Sequence, residues 1–194
     1  MLHLRPSDYR LMPWKDGGGS TTEIAIEPAG ASLADLFLWR VSSAQVEASG
    51  PFSRFPGRAR LLTLLEGAGL ILDIEDMGRQ RLKHPGQVVA FAGDAAVNAA
   101  LIQGPCVDFG VISDPSRVKV RLEWLNLGSS PTSITLAPTT LLFAPWGPIQ
   151  VDSHAVELES RDCLRFDAED AGSQLGVRAS FGTTPLVLVS IWPL

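Results

Sequence analysis

The residues best suited to chemistry lie in one short stretch near the start of the chain. Pro13-Trp14-Lys15-Asp16-Gly17-Gly18-Gly19-Ser20-Thr21-Thr22-Glu23 holds a cation, two carboxylates, three hydroxyls, an aromatic ring and three glycines. Glycines let a backbone come close to a ligand and expose N–H groups that can hold an anion. The plain alternative is a surface loop before a strand. A solvent loop rarely needs Trp beside Lys, so a binding segment is the better reading. A phosphate loop is excluded, because Lys15 precedes the glycines and no apolar strand leads into them.

Three further positions belong with this segment. In Trp39-Arg40-Val41-Ser42, alternation puts Trp39 and Val41 on one strand face and Arg40 and Ser42 on the other. If Arg40 points inward it needs an anionic partner, from a side chain or a ligand; an exposed strand face is the rival reading. Arg60 stands at the start of an apolar strand, after Gly50-Pro51-Phe52-Ser53-Arg54-Phe55-Pro56-Gly57, with Glu66 at the far end on the same face. The other arginines of that stretch read as solvated. Asp108 is a lone carboxylate facing away from Val107, Phe109 and Val111. It either lines a pocket or pairs with Arg40 or Lys15, and an ion pair is the favoured role.

Absences narrow the chemistry. The three histidines, His3, His84 and His154, are far apart and form no HxH, HExxH or HxxE motif, so an imidazole-built metal site is not expected. No GxSxG elbow occurs, and neither Cys106 nor Cys163 has a histidine nearby in sequence. Paired carboxylates for acid–base work are not identifiable. No cofactor and no catalytic residue is assigned.

These candidates need strands to hold them. Eighteen glycines and fourteen prolines punctuate the 194 residues, and between them lie short runs rich in Val, Ile, Leu, Phe and Thr. That texture predicts an all-β fold with little helix. Thr22 to Glu27 alternates, with Ile24 and Ile26 on one face and Glu23 on the other. Leu61 to Leu65 reads as a central strand, and Leu70 to Ile74 follows Ala68-Gly69 as in a hairpin. Val88 to Ala92, Val107 to Ile112, Val118 to Trp124, Thr139 to Phe143 and Leu186 to Ile191 continue the series. Ala31 to Leu38 has room for one helical turn. No βαβ alternation supports a parallel sheet. A weak duplication, about Arg40 to Val111 and Val120 to Leu194, suggests two lobes, with residues 1–118 in the first and 119–194 in the second. Gly128-Ser129-Ser130-Pro131 looks like a seam.

Composition bounds the partners. A net charge of −5 with no basic run argues against nucleic acid. No apolar run reaches membrane-spanning length, and the N-terminal residues Met1 to Trp14 lack the apolar stretch of a signal peptide, so the cytoplasm is the expected compartment. Two isolated cysteines fit reduced, structural thiols. Free sheet edges leave room for a homodimer.

The motifs in this order resemble the HutD/Ves family. The resemblance is carried by Leu4 to Ala25, Trp39-Arg40-Val41-Ser42, Gly50 to Gly57, Leu64-Leu65-Glu66-Gly67, Phe91-Ala92-Gly93-Asp94 and Gly104 to Phe109. It is close over about the first 115 residues and loose beyond them. It implies a bicupin: two RmlC-like β-barrel or jelly-roll lobes. It also implies a link to bacterial histidine utilisation, through binding of a pathway acid such as formylglutamate or urocanate that moderates flux or expression. Metal cupins use His and Glu ligands, and this chain lacks those histidines. Three positions depart from the family pattern: Asp16 where Asn is usual, Ala59 within Gly57-Arg58-Ala59-Arg60 where Asp is usual, and Gly110 where Asn is usual.

The expectation is therefore a non-metal protein that binds a small carboxylate. Arg40 and Lys15 would hold the carboxylates. Thr21, Ser42 and the N–H groups of Gly17 and Gly18 would add hydrogen bonds. Glu23 and Asp16 would orient the cations or receive a ligand N–H. Trp14 and Phe52 would form walls, with Arg60 and Asp108 as further lining. The rival is a metal-independent cupin isomerase or hydrolase using Lys15 with Glu23 or Asp16.

Overall fold

The computed structural model describes residues 1–33, 36–152 and 155–194. Its strands are β1 (Leu2–Leu4), β2 (Arg10–Pro13), β3 (Gly19–Glu27), β4 (Trp39–Val46), β5 (Gly50–Pro51), β6 (Ala59–Glu66), β7 (Leu70–Ile74), β8 (Gly78–Leu82), β9 (Val88–Ala92) and β10 (Val97–Leu101). They continue with β11 (Cys106–Ser113), β12 (Val118–Leu127), β13 (Thr132–Thr135), β14 (Thr139–Phe143), β15 (Ile149–Val151), β16 (Val156–Leu158), β17 (Cys163–Phe166), β18 (Gln174–Ala179) and β19 (Thr184–Pro193). Pro6–Asp8 and Ala168–Asp170 are single 3-10 turns. The chain is all-β. The residues suggested for a helical turn, Ala31 to Leu38, include Ala34 and Asp35, which lie outside the described residues.

Two compact units form: Tyr9–Val118, and Met1–Asp8 together with Lys119–Leu194. The first eight residues therefore leave the lobe assigned to them from sequence. The reason is long-range strand pairing, since Leu2, His3 and Leu4 lie opposite Arg165, Leu164 and Cys163. Gly128 to Pro131 is not a seam either; it links β12 to β13 inside one unit.

The unit Tyr9–Val118 stacks a six-stranded sheet, ordered β2-β3-β4-β11-β6-β9, on a four-stranded one, ordered β5-β10-β7-β8. Its core draws on both layers: Leu62 and Leu64 of β6 and Phe91 of β9 meet Leu72 of β7, Leu82 of β8 and Val97 of β10. Burying each such side chain stabilises the fold by roughly 1.5–3 kcal/mol. Leu61 to Leu65 is central, as its near-continuous apolar run requires, with β11 on one side and β9 on the other. The hairpin expected at Ala68-Gly69 is absent. β6 and β7 belong to different sheets, and the link carries the chain across the core. Gly69 makes that crossing at φ 104°, where a Cβ would stand 2.1 Å from the Leu82 carbonyl oxygen.

The other unit repeats the plan with sheets β1-β17-β14-β19-β12 and β13-β18-β15-β16. Leu142, Leu164, Phe166 and Leu188 of the first sheet pack with Ile149, Leu158, Leu175 and Val177 of the second.

Alternation fails at one informative place. The ladder between β3 and β4 slips between Glu23 and Ala25, so that Glu23 stands opposite Ser42, Ala25 opposite Val41 and Ile26 opposite Arg40. This bulge puts one extra residue on β3 and re-aims the side chains beyond it. Glu23 is consequently buried along with Ile24 and Ile26, and does not face away from the core. A second correction concerns Arg58. It is not solvated: its side chain is 11% exposed, its Nη1 lies 2.8 Å from Asp114 Oδ2, and its guanidinium sits over the Phe37 ring.

Candidate functional site

The six-stranded sheet builds the site on one face. Its central strands align Arg40 (β4), Ile112 (β11), Arg60 (β6) and Phe91 (β9) in a single cross-strand row. The next row is Glu23, Ser42, Gly110 and Leu62; the one after holds Thr21, Ala44, Asp108 and Leu64. Residues in register across a sheet, and residues two apart along a strand, share a face. Arg40, Arg60, Ser42 and Asp108 are thus brought together although 68 residues separate Arg40 from Asp108 in sequence.

A cavity of about 470 Å³ lies over this face, within the range that takes small molecules. Its wall includes Trp14, Lys15, Asp16, Thr21, Arg40, Ser42, Phe52, Arg60 and Asp108. Nine of the twelve residues singled out from sequence therefore line one cavity, and all lie in a single unit.

Arg40 is 3% exposed. Its Nε donates to Glu23 Oε2 at 2.6 Å. Its Nη2 is buried and has no hydrogen-bond partner. A guanidinium held by one carboxylate and left with an unmet donor is ready to bind a second anion. Glu23 is not in the wall; it holds the Arg40 Nε.

Arg60 is held differently. Phe52, Phe55 and Phe91 place their ring centroids 5.0–5.5 Å from its guanidinium carbon, and Nη1 donates to the Ser53 carbonyl at 3.1 Å. Cation–π contacts of this kind steady a cation without neutralising it. Burial lowers its pKa to about 10, with nearby Asp108 opposing and Arg40 adding to the fall, so it stays charged at neutral pH.

Asp108 is 5% exposed. Burial pushes its carboxyl up to about 7, against the pull of Arg60 and of the Ala44 N–H. The ion pair expected for it is therefore an influence through space from Arg60. Among the described residues, no carboxylate oxygen of Asp108 forms a close salt bridge to Arg40 or Lys15 of the kind that joins Arg40 to Glu23.

The glycine-rich segment works as a scaffold. Gly17 N–H donates to the Trp14 carbonyl at 3.1 Å and Gly18 N–H to Asp16 Oδ1 at 3.0 Å. Both N–H groups expected to meet a ligand are thus used inside the turn, and neither glycine lines the cavity. Trp14 N and Glu47 N close the turn onto the Gly19 and Gly18 carbonyls. Trp14 Nε1 donates to Thr21 Oγ1 at 2.8 Å, fixing the ring as a wall. Lys15 is exposed at the cavity's edge. Of the two carboxylates named for the enzymatic alternative, Glu23 accepts from Arg40 and lies outside the wall, whereas Asp16 accepts from the Gly18 N–H through Oδ1 and lines the cavity with Lys15.

The sequence reading missed Gly110, Ile112 and Phe55, which also line the cavity. Period two from Asp108 points to the first two; the cage around Arg60 had no sequence signal. Glu66 is exposed and stands outside the wall.

The site does not suit the metal of the cupin enzymes. No histidine or cysteine is in the wall. His3 bonds Asp162 at 2.8 Å in the other unit, His84 is exposed, and His154 lies outside the described residues. Among the described residues no group of three or more His, Cys, Asp or Glu could hold a metal ion. No helix there is long and apolar enough to cross a membrane.

Two antiparallel double-layered units in one chain define a protein of the cupin fold. The fold is shared with the oxalate decarboxylase of Lactobacillus farciminis in its formate complex, at TM-score 0.63 and 9% identity, covering 98% of this chain and 85% of that one. More specifically, the chain belongs to the HutD family, whose model matches residues 6–181. It resembles HutD from Pseudomonas fluorescens SBW25, solved in a formate condition, at TM-score 0.84 and 33% identity, covering 100% of this chain and 98% of that one. It is also 37% identical over 187 residues to an uncharacterised 21.2 kDa protein of the hutC 3′ region of Pseudomonas putida, covering 95% and 96% of the two chains. The family is linked to histidine utilisation.

Proposed function

We propose that the cavity binds a small carboxylate metabolite and that the protein senses or sequesters it, moderating histidine utilisation. The observation that carries this reading is Arg40, a residue of the cavity wall whose Nη2 is buried without a hydrogen-bond partner. Leaving a charged donor buried without a partner costs about 1–3 kcal/mol or more, and a bound carboxylate removes that cost. Arg60, caged but not neutralised, supplies a second cation. Lys15 at the edge adds a third and favours anions on approach. Trp14 and Phe52 cover the apolar part of the ligand. The family's setting directs the choice of acids to formylglutamate and urocanate, intermediates of histidine breakdown.

The test is isothermal calorimetry with formylglutamate, urocanate, formate and acetate. Binding to the wild type and a loss of tenfold or more in Arg40→Ala is the expected result, matching one charge-assisted contact. Absence of heat with every acid, or full affinity in Arg40→Ala, overturns the proposal.

A further inference from the structure

Gly110 has no conformational reason to be glycine. It sits in β11, an interior strand flanked by β4 and β6. There glycine weakens a sheet by roughly 0.5–1 kcal/mol relative to alanine. Three structural needs commonly explain such a glycine, and none applies. Its φ is not in the left-handed region. The irregularity in the β11–β6 ladder lies at Val107 and Asp108, where β6 carries the extra residue, and Gly110 itself is in regular register with Ser42 and Leu62. No backbone crowds it, because an added Cβ would meet only the Leu61 carbonyl oxygen and Leu62 Cδ1, both at 3.4 Å. What remains is close approach by a ligand. Phe109 and Val111 beside it are buried, whereas Gly110 is half-buried and opens to the cavity.

Its position is central. The arginine row lies two residues along the strand on one side and the Asp108 row two residues on the other, each about 7 Å away by strand geometry. We infer that Gly110, where the family pattern has Asn, is the specificity-determining residue of this chain's own cavity, opening a slot that seats the flat body of a carboxylate ligand larger than acetate. The ligand's carboxylate reaches the Arg40–Arg60 row, its body lies on the Gly110 peptide, and its far end points toward Asp108. This rests on the carboxylate reading above. The volume agrees: about 470 Å³ lies within the range of small-molecule sites of roughly 300–1,000 Å³.

The experiment is calorimetry on the full chain with two small acids, formate and acetate, and two larger ones, urocanate and N-formylglutamate. The proteins are wild type, Gly110→Ala and Gly110→Val, each checked for unchanged thermal unfolding. The expected result is graded: at least one larger acid loses a few-fold affinity in Gly110→Ala and tenfold or more in Gly110→Val, while the small acids change less than threefold. Equal affinity for the larger acids in all three proteins overturns the slot. So does a uniform loss for small and large acids alike. A wild type that binds formate or acetate but neither larger acid sinks the slot and leaves the carboxylate reading standing. A wild type that binds none sinks both. Should Gly110→Val fail to fold, Gly110→Ala decides by the same size-dependence.

Discussion

Glu23 and Arg40 form a buried pair, Oε2 to Nε at 2.6 Å, with side chains 10% and 4% exposed. The pair exists because the bulge in β3 sets Glu23 opposite Ser42, one row from Arg40. Glu23 satisfies one side of the guanidinium and leaves Nη2 unmet.

Removing Glu23 strands a buried cation. Glu23→Gln should lower stability by about 3–5 kcal/mol, the usual effect of breaking one side of a buried pair. Urea unfolding measures it. A loss under about 1 kcal/mol, the scale of an exposed pair, would show that the pair is not a structural support. Arg40→Ala with Glu23→Gln together should be less destabilising than the sum of the two single changes.

Asp108 should write a distinct pH signature. The folded carboxyl titrates at about 7 and the ordinary value is 3.8, so between those values the native state holds more protons than the unfolded one. Stability therefore falls as pH rises from about 4 to about 7 and is level above that. The gap corresponds to at most about 4 kcal/mol. Asp108→Asn, which stays neutral, should lose this slope and gain stability relative to wild type at pH 8. Urea midpoints at pH 5, 6, 7 and 8 for both proteins decide it; parallel curves would refute the assignment.

Gly19 is a backbone requirement of the arm. A Cβ there would stand 2.1 Å from the Gln45 carbonyl oxygen and 3.1 Å from Trp14 Cζ3. Gly19→Ala should cost about 2 kcal/mol or more, as expected of forced backbone displacement. It should also shift the tryptophan fluorescence by moving Trp14 off Thr21. Unchanged stability and emission would contradict the packing described.

Both cysteines are free and buried. Burial pushes the Cys106 thiol up to about 12 and raises that of Cys163 as well. Only the thiolate reacts readily. Native protein at pH 8 should therefore resist iodoacetamide, and both thiols should label in denaturant. Mass spectrometry reads the outcome, and prompt native labelling of either would contradict the burial.

Much of this molecule could be read without coordinates. Short Val-, Ile- and Leu-rich runs cut by Gly and Pro determined an all-β chain, because period-two burial leaves its mark residue by residue. Arg40 and Ser42 could be placed on one strand face for the same reason, and the Trp14–Lys15 arm stood out by composition. Other features depended on partners remote in sequence. The Glu23 bulge is set by the register of β4 against β3. The escape of residues 1–8 to the second unit is set by β17. The phenyl cage of Arg60 joins Phe52, Phe55 and Phe91 across loop and strand. Alternation says which way a side chain points along its own strand; only the pairing of distant strands decides what stands beside it, and the chemistry of this cavity lies in those neighbours.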